Sequence, residues 1–331
     1  MTNVFASETA FAIEAVQAAS RACRAVQAAL VTEQTIQKKD RSPVTVADFA
    51  SQAIVCAQLA EAFPEDAMVA EEDSGQLQGD EHADARRSVV SHVGAVLGSS
   101  PSDQQVLAWI DHGASAAGGS ERFWTLDPID GTKGFLRRGQ YAVALALIEA
   151  GEIVLGVLGC PNLAMETGGC GALLIAARGQ GTRLLSLDGN GAEGTTARVS
   201  TRSAADGARF CESVESGHSD QGQSAAIAAR LGITAEPVRM DSQAKYATVA
   251  RGEASIYMRL PTRADYREKI WDHAAGVIVV EEAGGRVSDI HGKPLDFTHG
   301  RQLEQNAGVL ATNGHLHDQV VGAIGATLSG A

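Results

Sequence analysis

The chain has 331 residues, 44% hydrophobic and 20% charged, with a formal net charge of −13. That length calls for two closely packed lobes rather than one small core, and the acidic balance argues against a surface built to grip a nucleic-acid polymer. No apolar run approaches the roughly 20 residues of a membrane span, and five scattered cysteines without a C-x-x-C pair form neither a disulfide framework nor a zinc site, which favours a reducing, cytoplasmic compartment and leaves an organelle open.

Apolar residues at Phe11, Ala15, Ala18, Ala19, Ala22, Val26 and Leu30 share one helical face and predict a helix over Ser7–Thr35. The charges Glu8, Glu14, Arg21 and Arg24 inside it argue against a secretory signal. A second helical pattern runs from Val46 to Phe63, and a short apolar strand at Met68–Ala70 ends in Glu71-Glu72-Asp73. Ser74 to Glu81 reads as loop, followed by helical patterns over His82–Leu97 and Ser102–Ile110. From Phe123 the pattern changes to strands, with hairpins expected for Tyr141–Glu149 with Ile153–Cys160 and for Ala172–Ala177 with Thr182–Leu187. The loop-like stretch between Ser186 and Thr196 divides the chain into an N-terminal lobe, residues 1–190, and a C-terminal lobe, residues 191–331. The second lobe alternates: strand Arg209–Ser213, helix Asp220–Leu231, strand Pro237–Met240, helix Ala244–Arg251, strand Ser255–Arg259, helix Asp272–Ala283, then a strand and a helix ending near Ile324. The expected class is α+β, mixed helices covering sheets.

The chemistry concentrates in carboxylates. In Leu126-Asp127-Pro128-Ile129-Asp130-Gly131-Thr132 an apolar strand stops at an acid, proline fixes the turn, and a second acid follows three residues later. Two carboxylates on one turn can share hard cations such as Mg²⁺, whereas either acid alone would be an ordinary turn residue. Glu71-Glu72-Asp73 also ends a strand, although an isolated charge run is more often a solvated face. Asp272 taken alone suits a helix cap, and Asp48 lies near the start of an amphipathic helix. His273 reads as a first-turn residue and no metal ligand, Trp109, Trp124 and Trp271 read as packing residues, and His315 and His317 as a surface feature.

Ala70-Glu71-Glu72, the Asp127–Thr132 string, and Trp271-Asp272-His273-Ala274-Ala275-Gly276 with Glu282-Ala283-Gly284-Gly285 occur in an order that resembles the lithium-sensitive, Mg²⁺-dependent phosphatase superfamily of inositol monophosphatase and fructose-1,6-bisphosphatase. The resemblance covers nearly the whole chain. It implies an inositol monophosphatase-like α-β-α-β-α sandwich with two or three Mg²⁺ ions in a cleft between the lobes. Glu71, Asp127, the Ile129 carbonyl, Asp130 and Asp272 would hold the ions, while Asp48 and Thr132 would orient and deprotonate the attacking water.

After Gly131-Thr132 the chain continues Lys133-Gly134-Phe135-Leu136-Arg137-Arg138-Gly139-Gln140-Tyr141-Ala142, and with Ser213–His218, Asp241–Tyr246 and Tyr266–Trp271 this is similar to the 3′(2′),5′-bisphosphate nucleotidase family. The implied substrate is adenosine 3′,5′-bisphosphate, giving AMP and phosphate, with 3′-phosphoadenylyl sulfate as a second candidate and a link to sulfur metabolism. The family places the 5′-phosphate at the positions of Ser242, Lys245 and Arg259, the adenine beside that of His218, and Thr132 and Asp272 against the substrate. Arg137-Arg138 is as readily a solvated pair as a substrate contact. The partner implied is thus a small phosphorylated nucleotide, with no membrane or obligate protein partner. The alternatives are an inositol polyphosphate 1-phosphatase and a non-catalytic sensor of the bisphosphate nucleotide.

Overall fold

The computed structural model describes residues 4–29, 42–115, 121–166, 168–189, 194–214, 221–261, 263 and 265–329. Helix α1 (Ala6–Ala29) turns Ala12, Ala15, Ala19, Cys23 and Val26 inward, and this small-residue face lets α2 (Ser42–Ala62) approach closely with Phe49, Ala50, Ala53 and Ile54 fully buried. The part of the first predicted helix beyond Ala29 lies outside the described residues. Helices α3 (Ala83–Leu97) and α4 (Asp103–His112) pack on α2. Ser102 starts α4 with a capping box closed by Gln105. Among the described residues no helix is long and apolar enough to cross a membrane.

These helices cover one face of a seven-stranded sheet. Its strands are β1 (Ala67–Ala70), β2 (Arg122–Asp130), β3 (Ala142–Glu149), β4 (Glu152–Ala164), β5 (Cys170–Ala177), β6 (Thr182–Ser186) and β7 (Gly194–Ala197), adjacent in that order. β1 runs parallel to β2 and the rest form an antiparallel meander containing both expected hairpins. β7 lies past residue 190 yet pairs with β6 from Thr182 opposite Ala197 to Leu185 opposite Gly194, so the first sheet continues to residue 197. An edge strand with three of four residues exposed carries no apolar alternation, and its glycine and threonines resemble loop.

The second sheet has the order β11 (Arg286–Ser288), β12 (Val309–Thr312), β10 (Ile256–Arg259), β8 (Phe210–Glu212) and β9 (Val238–Arg239). β11 was not expected; three residues after Gly284-Gly285 are too few to show a period. Helices α6 (Gln221–Arg230) and α9 (His317–Leu328) close its outer face through Ile227, Leu231, Val320 and Ile324 against Phe210, Met258 and Leu310. Between the sheets lie α7 (Ala244–Ala250) and α8 (Ala274–Glu282). α8 touches β3, β4 and β5 on one side and β11 and β12 on the other, which is why its sequence is apolar all round. At Gly276 an added Cβ would stand 2.2 Å from the Tyr246 ring, so the two middle helices meet only because that position is glycine. The layers therefore run α-β-α-β-α.

Candidate active site

Because β1 and β2 are parallel with Ala70 beside Leu126, the residues that follow them, Glu71 and Asp127, leave the sheet side by side. The carboxyl ends of parallel strands are a favoured place for ligands. Gln52 grips the Glu72 backbone, donating to its carbonyl at 2.7 Å and accepting from its N–H at 3.0 Å, so Glu71 rather than Glu72 lines the cavity. The β2–β3 register slips between Asp127 and Asp130. In that bulge the Ile129 N–H donates to Asp127 Oδ1 at 3.1 Å and the Pro128 carbonyl accepts from Ser51 Oγ at 2.9 Å, which brings Asp127, Ile129 and Asp130 to one wall. Gly131 has φ +90°, and a Cβ there would stand 2.8 Å from Ser242 Cβ; both the left-handed backbone and the close approach of the second lobe require glycine. Helix α5 (Thr132–Leu136) follows, with Thr132 exposed on the cavity wall.

Asp272 arrives from the other lobe. The N-cap of α8 is His273 and makes no side-chain cap, so Asp272 is not serving as the cap; its Oδ2 lies 3.6 Å from Arg259 Nη1. Glu71, Asp127, Asp130 and Asp272 share one cavity of about 270 Å³ with Ile129, Thr132, Ser242, Lys245 and Arg259. Burial raises every one of these carboxyls above its ordinary range. The charge of Glu71 adds to the effect at Asp127 and that of Asp272 to the effect at Asp130, while Arg259 opposes it at Asp272. Glu71 is pushed up to about 8 by burial, then by the charges of Asp272, Glu72 and Asp130. Asp48 on α2 is buried behind this set and raised well above its ordinary value by burial and then by Glu72 and Glu71. No hydrogen bond joins Asp48 to Thr132 among the described residues.

A pocket of hard oxygen donors that repel one another fits divalent cations of the Mg²⁺ type, which favour carboxylate and carbonyl ligands and retain waters between them. Among the described residues the acid–histidine group whose ligand atoms converge within 4.8 Å is Glu268, Asp272 and His273, not any three of the cavity acids. Both His273 ring nitrogens are already engaged, Nδ1 with Tyr246 Oη at 2.7 Å and Nε2 with Glu268 Oε2 at 3.0 Å, so that group is a hydrogen-bond network and no metal site.

At the other end of the cavity Ser242 has φ +70°, a conformation that strains a non-glycine residue by roughly 1–3 kcal/mol. The Gln243 N–H donates to Asp130 Oδ2 and Lys245 Nζ to the Ser242 carbonyl at 2.8 Å, which together hold that turn. Lys245 is buried, and its pKa is lowered by that burial against the opposing pull of Asp130. Burial also works against the Arg259 charge, but Glu268 and Asp272 outweigh it and keep the guanidinium protonated.

The structure thus gathers Glu71, Asp127, Ile129, Asp130, Thr132, Ser242, Lys245, Arg259 and Asp272, and sets Asp48 just behind them. His218 lies outside the described residues. Asp241 and Tyr257 also line the cavity; sequence gave no separate signal for either, beyond the position of Asp241 inside a quoted motif. Arg137 pairs with Asp241 at 2.7 Å across the lobes. His317 is not a surface residue: it is fully buried, 2.8 Å from Ser288 Oγ and 3.0 Å from Thr312 Oγ1. Ser288 is 29 residues away on β11 and Thr312 ends β12, so the local pattern around a helix start could not reveal them.

Comparison with known proteins places these residues in context. Residues 6–327 match the inositol monophosphatase family. The chain is 44% identical to a Schizosaccharomyces pombe protein named 3′(2′),5′-bisphosphate nucleotidase, across 98% of this chain and 97% of the relative. It is 43% identical to a protein of the same name from Emericella nidulans, across 88% and 90%, and 44% identical to one from Oryza sativa, across 97% and 94%. Among solved structures it superposes on an inositol monophosphatase from Anabaena with a TM-score of 0.65 at 22% identity, covering 100% of both chains. An IMPase from Thermotoga maritima gives 0.62 at 21%, covering 97% of both, and at such identities the likeness is one of fold.

Proposed function

The chain belongs to the inositol monophosphatase family, and from that premise we propose that it is a Mg²⁺-dependent phosphatase that hydrolyses adenosine 3′,5′-bisphosphate to AMP and phosphate, a reading supported by relatives named 3′(2′),5′-bisphosphate nucleotidase. The observation that carries this reading is the polarity of one cavity: acids at one end, the buried Lys245 and the half-buried Arg259 at the other. A substrate with two phosphates matches both ends. A monoester brings no second phosphate to Lys245 and Arg259.

In this reading Glu71, Asp127, the Ile129 carbonyl, Asp130 and Asp272 hold two or three Mg²⁺ ions. Such ions supply Lewis acidity toward phosphoryl oxygens and toward water. Thr132, exposed at the wall, would orient the attacking water, and Asp48, whose carboxyl is raised by burial first and then by the charges of Glu72 and Glu71, would accept its proton. Ser242, Lys245 and Arg259 bind the 5′-phosphate, and Asp272 stands between the two ends, 3.6 Å from Arg259. Phosphoryl transfer depends chiefly on positioning and charge stabilisation, and the chain supplies both from rigid element ends.

The test is phosphate release from adenosine 3′,5′-bisphosphate and inositol 1,4-bisphosphate, side by side with Mg²⁺. The expected result is Mg²⁺-dependent release with the higher kcat/KM on the nucleotide. A higher value on the inositol ester, or tight nucleotide binding without release, would replace this reading with a polyphosphate phosphatase or a sensor.

A further inference from the structure

The residues that hold the two cavity cations are themselves tied together in the core. Lys245 and Tyr246 are neighbours on α7. The Tyr246 hydroxyl lies 2.7 Å from His273 Nδ1, His273 Nε2 lies 3.0 Å from Glu268 Oε2, and the same oxygen is 3.0 Å from Arg259 Nε. Tyr246, His273 and Glu268 are 0%, 0% and 3% exposed, so no solvent intervenes to loosen the chain. A carboxylate can only accept, so the hydrogen between Glu268 and His273 sits on Nε2, and in the neutral ring Nδ1 is left to accept from the Tyr246 hydroxyl. The two other guanidinium nitrogens of Arg259 are also directed: Nη2 donates to Tyr266 Oη at 3.2 Å, and Nη1 faces Asp272. Lys245 Nζ sits 5.2 Å over the Tyr257 ring, and that ring packs edge-on against Tyr246 at 4.9 Å. Arginine and lysine side chains are costly to immobilise on binding, and a site whose cations are fixed beforehand binds an anion more tightly than one that must order them.

We propose that Tyr246, His273 and Glu268 are positioning residues for the second-anion end of the cavity: through Arg259 on one side and Lys245 on the other they hold in place the two cations that meet a second phosphate, and so set the preference for a bisphosphate over a monophosphate ester. This rests on the phosphatase reading above and adds to it residues that touch neither the substrate nor the cations of the metal end. Their partnership also explains why the histidine that follows a metal-end acid, Asp272, points away from that end.

The test compares wild type with Glu268→Gln and Tyr246→Phe, measuring kcat and KM on adenosine 3′,5′-bisphosphate and on adenosine 3′-monophosphate, Mg²⁺ activation, and AMP binding by calorimetry in Mg²⁺. The expected result is a ratio of kcat/KM, bisphosphate over monophosphate, lower by about tenfold, with the loss in KM and a matching rise in the Kd of AMP. An equal fall on both substrates, a shift confined to the Mg²⁺ activation constant, or no change in either variant would overturn the positioning role. If Glu268→Gln does not fold, Tyr246→Phe, which keeps the ring in its seat over Gly276, carries the test alone. Absence of bisphosphate turnover by the wild type would overturn the phosphatase reading, while the AMP comparison still decides the role of the chain of hydrogen bonds.

Discussion

Asp127 carries the electrostatic tension of the site in a single residue: buried, hydrogen-bonded by the Ile129 N–H, and facing three other cavity acids. Asp127→Asn removes one repelling charge and one hard ligand. We expect the variant to lose turnover by on the order of 10³-fold or more, because Lewis acidity supplies several kcal/mol of transition-state stabilisation. In EDTA its Tm should be higher than that of wild type, and Mg²⁺ should no longer raise it; a lower Tm in EDTA would mean that the carboxylate is structural. At this scale the sequence was informative wherever an acid ended an apolar strand, as Glu71 and Asp127 do. It was silent where a role depends on long-range partners: Tyr246 and Glu268 are 27 and 5 residues from His273 in the hydrogen bonds they share, and although each lies in a quoted motif, nothing local joins the three.

Helix α9 shows how one element end can set a pH response. Ser288 Oγ donates to the Asp289 carbonyl, so His317 Nε2–H donates to Ser288 Oγ, and Thr312 donates to Nδ1. Burial first, then the Arg286 charge, lowers the His317 pKa from 6.5 to about 4. The unfolded chain therefore binds a proton near pH 6.5 that the folded ring refuses until about 4, so stability is full above 6.5 and falls as the pH drops through that window. The loss is at most about 3 kcal/mol. Thermal melts of His317→Gln should lie below wild type at pH 7.5 and converge on it toward pH 4; a constant offset across the range would refute the assignment. A second element junction lies at Arg301, which donates to the Ala70 carbonyl at the end of β1 and stacks 4.6 Å over Trp271, so one side chain braces the segments carrying Glu71 and Asp272. Arg301→Ala should raise the Mg²⁺ concentration for half-maximal activity by roughly 10-fold, the usual cost of losing an outer support of a metal ligand, with kcat at saturating Mg²⁺ little changed. An unchanged Mg²⁺ requirement would show the brace to be dispensable.

For the whole molecule, the helix and strand order was legible because strong periodicity fixes most elements, and the five layers follow from where their apolar faces point. The last strand of the first sheet was not, because β7 has no apolar pattern of its own and takes its identity from pairing with β6. The cavity likewise exists only in three dimensions: Glu71, Asp127 and Asp130 come from the first sheet, Ser242, Lys245, Arg259 and Asp272 from the second lobe, and Gly131 against Ser242 is the seam. The most direct measurement is a crystal of the protein with Mn²⁺ in place of Mg²⁺ and with AMP, read by anomalous scattering. The account predicts Mn²⁺ peaks among Glu71, Asp127, the Ile129 carbonyl, Asp130 and Asp272, with the AMP phosphate on Lys245 and Arg259. Peaks at Glu268 and His273, or a phosphate that leaves Lys245 and Arg259 unengaged, would contradict it.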